Sequence, residues 1–180
     1  MATNTAQTKP VDSHLSDTAE LSPSGWPVVE RGLLMAYVER VVVVRIDADI
    51  TDASLGRFLD EWPRGIDIRT TQSRCAALYD LPAWSGATAL MRRRMAELLH
   101  SWLGMLSATT KAWALVTQSP LVSGMVQAIH WVQPPPYPHC VTHSAVEGFE
   151  FIQQHLPELG VARGLAKYVS LLSVYHRRMH

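Results

Sequence analysis

Apolar and polar residues change their spacing along this chain, and each change marks an element. Two runs dense in apolar and β-branched residues, Leu33–Val38 (LLMAYV) and Val41–Ile46 (VVVVRI), are separated only by Glu39-Arg40. Such runs predict two strands, and a two-residue break predicts a tight hairpin, although Glu-Arg is not a favoured turn pair. The period then lengthens. Leu55, Phe58, Leu59 and Trp62 recur at i, i+3, i+4 and i+7 behind Thr51 or Asp52 as cap, which predicts an amphipathic helix stopped by Pro63 and Gly65. A polar connection over residues 64–74 carries Arg64, Arg69 and Arg74. The apolar run Cys75–Tyr79 then suits a strand buried on both faces.

The same alternation repeats twice more. Asp80–Gly86 is a loop, and a long helix is predicted over residues 87–106 with Met91, Met95, Leu98, Trp102, Met105 and Leu106 as its apolar stripe. Lys111–Thr117 (KAWALVT) is a strand. Ser119-Pro120 is a strong helix start, with Ser as cap and Pro at the first helical position, and Leu121, Met125, Ile129 and Val132 are the expected core face. The proline-rich QPPPYP (133–138) ends that helix. A short strand, His139–Thr142, leads to the capping box Ser144–Glu147 and a helix burying Val146, Phe149, Ile152 and Leu156. A last helix over residues 161–178 carries Leu165, Tyr168, Val169, Leu172 and Tyr175 on one face. Strands alternating with helices imply parallel pairing in an α/β layer architecture: a mixed, mostly parallel sheet that begins with an antiparallel hairpin. Three regions follow: a flexible leader over residues 1–27, an α/β domain over 28–156 and a helical extension over 157–180.

Composition narrows the function classes. Of 180 residues, 47% are hydrophobic and 18% charged, enough apolar material for a core. Lys plus Arg equals Asp plus Glu at 16 each, a balance that argues against a nucleic-acid partner. No apolar run is long enough to predict a transmembrane helix, and the first residues lack the apolar centre of a signal peptide, so a cytoplasmic location is expected. The two cysteines, Cys75 and Cys140, make no disulfide framework. Charge is uneven: residues 161–180 hold Arg163, Lys167, Arg177 and Arg178 with no acid, a basic end expected to be solvated. The excess of Arg over Lys, with abundant Ala, points by composition to a bacterial source.

Three segments carry a family resemblance. VVVVRIDADITDASLGRFLDEW (41–62), KAWALVTQSPLVSGMVQAIHW (111–131) and the stretch from Pro138 to Leu156 resemble the strand–turn–helix units of the STAS-like, or SpoIIAA-like, fold of anti-sigma-factor antagonists. The resemblance covers roughly residues 30–156. It implies a non-enzymatic regulatory module that docks another protein, with a phosphorylatable serine at the start of the helix after the third strand. The matching region here is Asp80–Thr88, so Asp80, Trp84, Ser85, Gly86 and Thr88 are the interaction and phosphoswitch candidates, with Ser85 as the phosphate acceptor. The family's spacing is shorter, which is a departure. A helix N-terminus would stabilise the added charge, and a plain capping serine is the alternative. Some domains of this type carry an apolar pocket, so binding of a small apolar ligand or lipid is the second functional reading. The final helix either packs back on the sheet or mediates a homodimer.

Other chemistry-bearing residues point elsewhere only weakly. His130, His139, Cys140 and His143 lie close in sequence, but their spacing fits no zinc pattern, and His139 and Cys140 face opposite sides of a strand. Asp47, Asp49 and Asp52 cluster at a strand-to-helix turn, where capping is the expected role. Arg92, Arg93 and Arg94 read as a solvated helix face. Trp84, Trp131 and Tyr137 flank loops as candidate anchors or as core. No phosphate-binding loop, dinucleotide fingerprint, nucleophile elbow or HExxH is present. The expectation is therefore no enzyme activity, no cofactor and no metal.

Overall fold

The computed structural model describes residues 28–60, 75–84, 88–132 and 134–179. The predicted leader, the 64–74 connection and the Pro63-Gly65 helix stop lie outside the described residues, as do Ser85 and Gly86. Six strands form one sheet in sequential order: β1 (Val28–Glu30), β2 (Leu33–Val38), β3 (Val41–Ile46), β4 (Cys75–Leu81), β5 (Thr110–Thr117) and β6 (His139–Thr142). β1, β2 and β3 pair antiparallel, and β3 through β6 pair parallel. The helices are α1 over residues 52–60, α2 (Ala89–Thr109), α3 (Pro120–Val132), α4 (Ala145–His155) and α5 (Val161–Met179).

β1 is an addition to the expected order. It pairs with β2 through the two-residue turn Arg31-Gly32, where Gly32 has φ +72°. A Cβ there would also come within 2.3 Å of the Ile50 backbone, so only glycine fits. The next turn is built less comfortably. Glu39 has φ 56° without being glycine, a left-handed conformation that costs about 1–2 kcal/mol. Its carboxylate is held by Lys167 at 2.6 Å and Arg163 at 2.9 Å, both from α5. Two residues of the basic C-terminal end therefore pair with the hairpin tip while staying exposed, Arg163 at 65% and Lys167 at 45%.

Strand periodicity sorts the core into two layers. Leu33, Met35, Val42, Val44, Ile46, Leu81 and Leu115 face one side, with Leu55, Phe58 and Leu59 of α1, Leu106 of α2 and Val122 of α3. Leu34, Ala36, Val38, Val41, Val43, Leu78, Ala114 and Val116 face the other, under Phe149 and Ile152 of α4 and Tyr168 and Tyr175 of α5. Three crossover helices thus lie on one face of a sequentially ordered parallel sheet, as right-handed connections require, and the last two helices close the other face. α4 comes very near the strands: a Cβ on Gly148 would meet Leu78 Cδ1 at 2.7 Å.

Local chemistry at the helix starts departs from expectation in detail. Thr51 Oγ1 accepts from the Ser54 backbone N–H at 3.0 Å, so Thr51 caps α1 and the neighbouring aspartates do not. Asp47 pairs with Arg45 and Asp49 with Arg31 instead. Ser144 Oγ accepts from Glu147 N–H as the capping box predicts, but the Glu147 carboxylate turns back to the His143 N–H. Val146, expected in the core, is 45% exposed. α5 packs on the sheet and contacts β1 and β2, with Tyr168 and Tyr175 buried and Val169 left on the surface.

α3 buries a different side from the one its spacing predicts. Val122 is its buried residue, with Val126 half-buried behind it. Leu121 (74% exposed), Met125, Ile129 and Val132 (88%) face outward. The helix is rotated by about one residue, near 100°, from the orientation its sequence predicts.

Candidate functional site

Two regions concentrate polar or exposed chemistry. The first lies at the carboxyl ends of β3 and β4, on the face covered by α5. Arg45 and Asp80 stand opposite each other in the parallel register, each a charge in an otherwise apolar strand. Arg45 Nη1 donates to Asp80 Oδ2 at 2.7 Å, and its Nη2 pairs with Asp47 Oδ1 at 3.0 Å. The hydroxyl of Tyr168 donates to the same Asp80 oxygen. Asp80 is only 5% exposed, and a guanidinium and a phenol meet its carboxylate there.

The electrostatics of this cluster agree on one protonation pattern. Burial works against the Arg45 charge, but the Asp47 hydrogen bond and the Asp80 charge outweigh it, raising its pKa above the ordinary value. Burial and the Asp80 charge push the Tyr168 phenol well up. Burial and a hydrogen bond to Asp47 do the same for Tyr175. Phenols held this firmly in the neutral form are donors, not bases, at neutral pH. The arrangement locks α5 onto the sheet, and its polar groups are occupied by one another.

The sequence-predicted site falls partly within this lock. Asp80 is buried in it, and Trp84 is buried in the opposite core layer at 7% exposure. Thr88 is exposed. Ser85 and Gly86 lie outside the described residues. Among the described candidates, therefore, Asp80 and Trp84 serve the interior and do not form a common surface with Thr88.

The second region is the outer side of α3 beside the edge strand β6. Leu121, Met125, Ile129, Trp131 and Val132 are exposed there, Trp131 at 93%. α3 and β6 contain no Asp, Glu, Lys or Arg. Beneath α3 runs a chain of ring contacts: Tyr79 to Trp113 at 5.9 Å, Trp113 to His130 at 5.3 Å and His130 to His139 at 4.3 Å. Burial and the neighbouring His139 lower the pKa of His130. A cleft of about 440 Å³ opens here, lined by Gln127, His130, Trp131, His139, Cys140 and Val141. Half-buried Tyr137 packs at the edge of the core near this corner.

His139 meets α3 while Cys140 packs against the α4 face, as strand alternation requires. Among the described residues no three His, Cys, Asp or Glu side chains converge as metal ligands. Burial pushes both thiols up, Cys75 to about 11 and Cys140 to about 11, the latter with help from Glu147. Arg93 pairs with Glu97 one turn on, and Arg94 reaches Asp60 of α1.

Comparison of the chain with protein-family models, with curated proteins and with solved structures finds no match. Among the described residues, no helix is long and apolar enough to cross a membrane.

Proposed function

We propose that this chain is a non-enzymatic, regulatory protein–protein interaction module of a bacterial cytoplasm, with a STAS-like arrangement of its strands and helices. The observation that carries the reading is the exposed apolar side of α3, from Leu121 to Val132. A contiguous apolar surface of this extent is characteristic of a contact site. The buried Arg45–Asp80–Tyr168 cluster supports the reading from the other side, because its polar groups are consumed in holding α5. Phosphorylation of Ser85 belongs to the same proposal, as a charge added near the start of α2.

The experiment compares the wild-type chain with Ile129→Glu, both tagged and purified from the native host, by native mass spectrometry and peptide sequencing. A protein partner that is retained by the wild type and lost by the variant supports the proposal. Equal partner capture by both removes α3 from it. A second reading, binding of a small apolar ligand or lipid, draws on the open cleft of about 440 Å³ beside α3. A stoichiometric small mass carried by the wild type would favour that reading, and a phosphate mapped to Ser85 would favour the switch.

A further inference from the structure

The reading of α3 as a contact surface leaves its occupant open. We infer that the occupant is a second copy of this chain, packed α3 against α3 about a two-fold axis. The inference rests on the contact reading above and adds the partner's identity. Three observations carry it.

The first is charge. A two-fold contact sets a patch against itself, so any net charge on it meets the same charge. α3 and β6 carry neither acids nor Lys or Arg, and the His130 pKa is lowered by burial. The patch can therefore face its own copy without repulsion.

The second is pattern. Leu121, Met125, Ile129 and Val132 lie along one side of a 13-residue helix about 20 Å long. The stripe is nearly symmetric about its middle. Run antiparallel, it places Leu121 opposite Val132 of the second copy and Met125 opposite Ile129.

The third is area. Large apolar side chains present about 100–200 Å² each, so the four of the row at their observed exposures offer roughly 400 Å². Standard interfaces bury about 800 Å² per partner, and a contact of about half that belongs with the small, transient ones. That places the dimer at the weaker end of specific association.

The test is sedimentation velocity of the full chain from about 1 to 300 µM, the range where interfaces near the lower size limit associate. The wild type should pass from monomer to dimer. Ile129→Glu and Val132→Glu, both surface changes, should raise the dissociation constant by about 30-fold or more with unchanged circular dichroism. Val169→Glu, on the exposed side of α5, should leave it unchanged. A wild type that stays monomeric throughout overturns the inference, while partner capture lost in Ile129→Glu would still uphold the contact reading. A dimer broken by Val169→Glu but not by Ile129→Glu also overturns it and moves the contact to α5.

Discussion

Tyr168→Phe isolates the hydroxyl that fastens α5 to the sheet. Tyr168 is 1% exposed, and its ring packs against Phe149 with centroids 6.0 Å apart, a contact the phenylalanine preserves. What is lost is one donor to the Asp80 carboxylate. A hydrogen bond to a charged group contributes about 1.5–3 kcal/mol. Asp80 keeps Arg45 at 2.7 Å, so no charge is orphaned and the lower half of that range applies, about 1.5–2 kcal/mol. For a chain of this size that corresponds to a fall in Tm of about 3–8 °C. Asp80→Asn should cost more, about 3 kcal/mol, because it removes the charged partner of half-buried Arg45; the remaining Asp47 pairing limits the loss. Urea unfolding of the two single variants and the double variant closes a cycle, with a coupling of at least about 0.5 kcal/mol expected for groups in contact. Stability of Tyr168→Phe within 0.5 kcal/mol of wild type, or strict additivity in the cycle, would refute the role of the cluster as the α5 lock.

Other consequences follow from single sites. Gly148→Val should destabilise by about 1–3 kcal/mol in chemical denaturation, because even its Cβ meets Leu78 at 2.7 Å. The hydrogen bond from Lys167, together with the charges of Lys167 and Arg163, holds the Glu39 carboxyl below its ordinary pKa. Its stabilising contribution is therefore complete above the unfolded carboxyl pKa of about 4.3 and is lost as pH falls through the lower folded value. Glu39→Gln should flatten the acid limb of stability against pH below that point and leave its slope near neutrality unchanged. With both thiols near 11, Cys75 and Cys140 should alkylate slowly with iodoacetamide at neutral pH in the native chain and rapidly in urea; fast native labelling would contradict their burial.

The strands were legible because β-branched runs such as VVVVRI tolerate little else, and α4 because Ser144 and Glu147 mark its start. β1 was not, since three residues behind a proline carry no period of their own and gain strand form only by pairing with β2. α3 shows a different limit. Leu121, Met125, Ile129 and Val132 form an apolar row, but so do Val122 and Val126. A helix apolar nearly all round does not announce which side is buried, and only the packing against β5 decides it. The polar cluster joins residues 45, 80 and 168, which no local motif links. A signal was nevertheless present: Arg45 and Asp80 are charges inside apolar strands, and a buried charge requires a partner. The family resemblance marks Asp80 for docking, and its neighbours in the sheet, Arg45 and Tyr168, hold it in the interior.

On the proposed function, the outer side of α3 is a surface made to be covered. Hydrogen–deuterium exchange of the full chain at low and high concentration tests it most directly. Exchange over residues 120–132 should be slower at high concentration, with β2 to β5 unchanged. Exchange in α3 that is the same at every concentration, and unaffected by any protein retained from the native host, would contradict it.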